Sequence, residues 1–68
     1  MKISQYRFES ELDSLINAAY SANTPESAKS FLIQAKNKIY AYDNIPDNLI
    51  DQYIRKIESA ARNLNIIV

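Results

Sequence analysis

The sequence predicts an all-α fold, a small antiparallel three-helix bundle, and three observations carry that prediction. There is no glycine among the 68 residues, although glycine normally makes up about 7% of a chain and the tight turns of β-hairpins depend on it. Apolar residues recur at steps of three and four in three successive stretches, the period of a helix with one buried face. The two prolines, Pro25 and Pro46, stand in the two gaps between those stretches, where proline's fixed φ suits a helix start. A single domain over residues 1–68 follows, since so short a chain cannot divide into two cores.

The first helix is expected over about 4–22. Phe8, Leu12, Leu15 and Ala19 follow one another at steps of four, three and four, and Ile16 and Tyr20 widen the stripe on one side. Thr24, Pro25 and Glu26 then give a restart signal: a capping hydroxyl, a proline at the first helical position and a negative charge at the positive end of the dipole. The second helix, about 25–42, places Ala28, Phe31, Leu32, Ala35, Ile39 and Tyr42 within a sector of about 100°. The third, about 46–64, buries Ile50, Tyr53, Ile54, Ile57, Ala61 and Leu64, with Ile45 positioned to fold back on Leu49 or Ile50 as a staple. Asn23, Asn44 and Asn63 or Asn65 stand at the expected helix ends, because asparagine tolerates the left-handed conformation better than most residues.

Composition then excludes several chemistries. Cysteine and histidine are both absent, which removes disulfides, the common zinc sites, the usual general base near neutral pH and the best nucleophile. Without glycine there is no phosphate-cradling loop. No catalytic, cofactor or metal site is expected, and the chain reads as a non-enzyme. Eight basic residues balance eight acidic ones, so no bulk field draws it to nucleic acid or to an anionic membrane. Residues 25–42 set three lysines against Glu26, and residues 43–68 set three basic groups against four acids, whereas a DNA-binding domain concentrates a basic excess on one face. Neither a secretory signal nor a run of the roughly 20 apolar residues that span a bilayer is present, so a cytoplasmic protein is expected.

Function must then be sought on the surfaces left outside the core. On the second helix Ile33 and Tyr40 lie seven residues apart, away from the core stripe and flanked by Lys29 and Lys36, the aromatic, aliphatic and basic mixture of protein interfaces. On the first helix Glu9, Asp13, Ile16, Tyr20 and Tyr6 form an acidic and aromatic shoulder that would mate with the basic shoulder of the second helix, in another copy or within one chain. On the third helix Asp51 to Arg55 and Glu58 to Arg62 have the spacing of self-neutralising ion pairs. Ile66, Ile67 and Val68 pose a separate question. A helix continuing past Asn65 would return Val68 to the core stripe, whereas a stop at Asn65 would lay all three over the open end of the bundle as a plug, a homodimer seam or a recognition element.

One stretch carries a resemblance. Residues 9–20, ESELDSLINAAY, resemble the signature helix of the small sporulation-type aspartyl-phosphate phosphatases, which usually reads SQELDxLI. Glu11, Leu12, Asp13, Leu15 and Ile16 match it, while Glu9 and Ser10 replace serine and glutamine. The resemblance implies a regulator acting on a phosphorylated response regulator through Asp13. The main expectation is different: a small non-enzymatic regulator or inhibitor that binds a larger host protein through Lys29, Ile33, Lys36, Tyr40, Tyr20, Ile66, Ile67 and Val68. Its wealth of Ile, Asn, Lys and Tyr, whose codons are AT-rich, associates it with a low-GC bacterium, a phage or a mobile element. A small DNA-binding or structural dimer is the remaining alternative.

Overall fold

A computed structural model describes residues 3–68, and within them the fold is the expected one. Three helices follow one another, α1 (Ile3–Ser21), α2 (Pro25–Ile39) and α3 (Asp47–Asn63). Glu11 of α1 reaches Lys38 near the end of α2, so these two run antiparallel. Asn63 at the end of α3 reaches Tyr20 at the end of α1, so α1 and α3 run parallel and the bundle is up-down-up. α1 and α2 pack most extensively, and α1 and α3 least.

The α1–α2 connection forms as its residue types require. Thr24 is extended, and its Oγ1 accepts the Ser27 N–H at 3.1 Å, with Pro25 opening the helix behind it. Asn23, expected to take the left-handed conformation, does not: only Asn44 (φ 63°) and Asn65 (φ 57°) do so among the described residues. The cap at Thr24 already turns the chain there, so no left-handed residue is needed.

α2 ends at Ile39, three residues earlier than expected. Its last turn tightens, with the Tyr40 N–H donating to the Asn37 carbonyl and the Ala41 N–H to that of Lys38. Asn44 then reverses the chain in the left-handed region, and Pro46 keeps Ile45 out of helical geometry. Tyr42 therefore enters the core margin from a connection, not from a helix. Pro46 caps α3 from the position before its first residue, one place earlier than expected, and its carbonyl accepts from both Leu49 and Ile50. Ile45 is buried, with Leu49 and Ile50 half-buried against the same core.

The core follows the predicted stripes. Phe8, Leu12, Leu32, Ile39 and Tyr53 are its largest fully buried side chains. Ala60, which the sequence reading omitted, is buried too, while Leu15, Phe31, Ile50, Ile54 and Leu64 lie at its margin. Phe8 makes edge-to-face contacts with Tyr53 at 5.5 Å and with Tyr42 at 5.9 Å, tying α1 to α3 and to the α2–α3 connection. Phe8→Ala should cost about 3–5 kcal/mol of unfolding free energy, read from urea denaturation of the variant beside wild type. Asn65→Gly should leave stability unchanged or raise it slightly, and Asn65→Val should lower it by about 1–2 kcal/mol, because only the former accepts φ 57° without strain.

Candidate protein-binding surface

The end of α3 decides how the predicted surface residues come together. Leu64 closes the helix, and Asn65 follows in the left-handed conformation. The Ile66 N–H donates to the Ala61 carbonyl at 2.8 Å and the Asn65 N–H to the Arg62 carbonyl at 3.1 Å. This pair of bonds is the Schellman motif, which turns the chain back along the helix it has just left. Ile66 and Val68 are half-buried against the core, and Ile67 between them is 87% exposed.

The segment 66–68 returns along the groove between α2 and α3. Ile66 and Ile67 border a depression of about 330 Å³ shared with Pro25, Glu26 and Lys29 at the start of α2. Val68 borders a smaller hollow of about 100 Å³, whose floor is formed by Ile39, Ile54 and Ile57. Lys36 and Tyr40 of α2 stand on one side of this hollow and Glu58 of α3 on the other.

Seven of the eight residues singled out in the sequence thus share one side of the molecule. Lys29, Ile33, Lys36 and Tyr40 follow at steps of four, three and four along α2 and its C-cap, which puts them within roughly 60° of one another. Tyr40 is 74% exposed and Ile33 39%. Tyr20 is the exception. It borders a different cleft, and its hydroxyl accepts from Asn63 Nδ2 at 3.1 Å.

That second cleft, about 860 Å³ between α1 and α3, was not foreseen. Asp13, Asn17 and Tyr20 border it from α1, and Asp51 and Arg55 from α3. The expected pairs Asp51–Arg55 and Glu58–Arg62 are not among the ion pairs of the described residues. Solvated side chains at that spacing gain too little from pairing to be held in one geometry. The shoulder of α1 also meets a different partner from the one expected. Asp13 pairs with Lys56 of α3 at 3.7 Å and Tyr20 with Asn63 of α3, so this shoulder faces α3 and not the lysines of α2.

Two polar clusters flank the core. Lys38 Nζ lies 2.9 Å from Glu11 Oε1, and the Tyr42 hydroxyl faces the same carboxylate. Lys38 and Tyr42 hold Glu11 below its ordinary value, while Glu11 raises both Lys38 and Tyr42. Nothing in the sequence period signals this triad, since Glu11 and Lys38 lie on helices whose rotation only packing fixes. In the other cluster Lys56 Nζ sits 4.6 Å from the centre of the Tyr53 ring, and Asp13, the residue the phosphatase resemblance singles out, is half-exposed beside them. Burial, and then Asp13, push the Tyr53 hydroxyl well above its ordinary 10.0. No group of three or more potential metal ligands occurs among the described residues, and no helix there is long and apolar enough to cross a membrane.

Compared with protein-family models, with curated proteins and with solved structures, the chain matches none. Neither the fold nor the surface can borrow a function from a relative.

Folded Tyr53 holds its proton more tightly than the unfolded chain does. The stability linked to it is intact below pH 10.0 and falls as pH rises above that value. Tyr53→Phe should therefore lose less stability than wild type between neutral and strongly alkaline pH, as measured by denaturation at a series of pH values. Glu11 acts at the other extreme: its lowered value stabilises the fold above its ordinary 4.5 and ceases to do so as pH falls through the folded value. Glu11→Gln should flatten that acid limb.

Proposed function

We propose that this chain is a small non-enzymatic regulator or inhibitor that binds a larger host protein through the face formed by the α2 stripe and the returned segment 66–68. The single observation that carries the reading is that Tyr40, 74% exposed, borders the same hollow as Val68, the neighbour of the 87% exposed Ile67, which puts large apolar surface from α2 and from the chain after α3 on one side of the domain. Large apolar groups held on a rigid frame lose little entropy on binding, and Tyr in particular offers wide contact at the cost of two torsions. Lys29 and Lys36 beside them favour an acidic patch on the partner. The absence of histidine, cysteine and glycine speaks against catalysis, and the balanced charge speaks against nucleic acid. The compositional association with low-GC genomes directs the search to a cytoplasmic protein of such a bacterium, with a phage or mobile element as the source of the gene.

The test is recovery of a partner from a low-GC Gram-positive lysate on N-terminally tagged protein, with wild type beside Tyr40→Ala. Wild type should retain one host protein, and Tyr40→Ala should weaken that complex by roughly tenfold to a hundredfold with unchanged helicity. Equal retention by the variant would contradict the reading, as would salt-sensitive retention of nucleic acid in place of protein.

A further inference from the structure

Along α2 the residues Glu26, Lys29, Ile33, Lys36 and Tyr40 follow one another at steps of three, four, three and four, and all five are exposed. That is the strict alternation of a coiled-coil seam, along which a second helix lies nearly parallel to the first. Here the seam faces solvent. Lys29 and Tyr40 are eleven positions apart, or about 16 Å at 1.5 Å per residue. A facing helix repeats its own seam at the same step of roughly 5 Å, whereas an extended peptide returns to one face about every 6.6 Å and falls out of register. The strip is therefore shaped for a helix.

Charge decides what that helix carries. Of the four lysines of α2 and α3, Lys38 and Lys56 are answered by Glu11 and Asp13 of α1, while Lys29 and Lys36 belong to no ion pair among the described residues. These two stand seven positions apart, about 10 Å along the helix, and they alternate with Ile33 and Tyr40. Carboxylates seven positions apart on a facing helix repeat at the same distance, and aliphatic residues between them meet Ile33 and Tyr40. The lysine stems lie along those aliphatic groups while their ammonium heads reach the carboxylates at the margin. A second copy of the chain answers the seam less well. Two such seams laid together bring four lysines against the two carboxylates of Glu26.

We infer that the element which docks on α2 is an amphipathic helix of the partner, carrying Asp or Glu at seven-residue spacing in alternation with aliphatic residues. The inference rests on the proposed host-binding face and names what the host presents to it. Lys29 and Lys36 set the register, and Ile33 and Tyr40 supply the apolar contact.

Fluorescence anisotropy of three labelled peptides with the intact chain tests it. Each peptide is alanine-rich and about 21 residues long, enough for partial helicity in water. In the first, glutamate and leucine alternate at steps of three and four. The second has the same composition with the glutamates on the opposite face, and the third has lysine in place of glutamate. The first should bind wild type roughly tenfold more tightly than either of the others. Lys29→Glu combined with Lys36→Glu should reverse that preference in favour of the third peptide, with helicity unchanged because both side chains are exposed. Equal binding of all three, no binding of the first, or a double variant that keeps the wild-type order would overturn the inference. So would a chain that dimerises alone and loses the dimer on Ile33→Asp, because the seam would then belong to a second copy. A host protein lost on Tyr40→Ala, beside peptides that fail, would remove the acidic helix and leave the proposed function standing. Selective peptide binding with no host protein recovered would leave the helix-binding seam and remove the regulatory reading.

Discussion

One buried aromatic residue organises the contacts that join α1 to α3 and to the α2–α3 connection. Phe8 is fully buried and meets two tyrosine rings edge-on, Tyr53 from α3 and Tyr42 from the α2–α3 connection. An edge-to-face pair has a preferred geometry that an aliphatic contact lacks. Phe8 therefore does more than fill space: it fixes how far α3 lies along α1 and where the connection crosses. Because Tyr42 is held there, Glu11 has a hydroxyl to face as well as the Lys38 ammonium. Tyr53 in turn carries Lys56 over its ring and Asp13 beside its hydroxyl. The polar contacts between helices are thus arranged around the aromatic core, and their own contribution to stability is secondary, as expected for half-exposed charge pairs.

The second constraint is the left-handed turn at Asn65. Once α3 is placed, its end could continue outward into solvent or turn back. The two hydrogen bonds from Asn65 and Ile66 to Arg62 and Ala61 satisfy carbonyls that a helix end otherwise leaves open. Turning back also brings Ile66 and Val68 against the core. Ile67, between them, is left facing solvent. Exposure of Ile67 is accordingly a consequence of burying its two neighbours, and the exposed apolar surface on this side arises as a by-product of capping the bundle.

Much of the fold was legible in the sequence because helical periodicity is a local property. The stripe Phe8, Leu12, Leu15, Ala19, with Ile16 widening it, and the cap at Thr24 needed no knowledge of the partner helices, although packing turned Ile16 inward and left Leu15 at the margin. Asn65 was named as a candidate stop from its chemistry alone, and the two routes it offered for Ile66 and Val68 were stated, but only packing chose between them. What stayed hidden depends on how the helices rotate and spread. Ala60 was omitted because a small side chain beside Ser59 gives a weak periodic signal, yet it is fully buried. The cleft between α1 and α3 follows from their loose packing, which no periodicity encodes. The ion pairs predicted along α3 illustrate the limit from the other side: spacing permits a pair, but solvent competes with it, and Asp51 and Arg55 instead border that cleft. The surface residues on α2 were found by subtracting the core stripe. Their union with Ile67 and Val68 required the path of the chain after Asn65.

The account stands or falls on that path, and methyl-resolved NMR of the wild-type chain measures it directly. Cross-relaxation between the Val68 methyls and both the Tyr40 ring and the Ile57 methyl, with a slowly exchanging Ile66 amide, is the predicted result. Val68 methyls that show contacts only to Leu64 and Asn65, with Asn65 reporting a helical backbone, would mean that α3 runs on into solvent, and the surface described here would not exist.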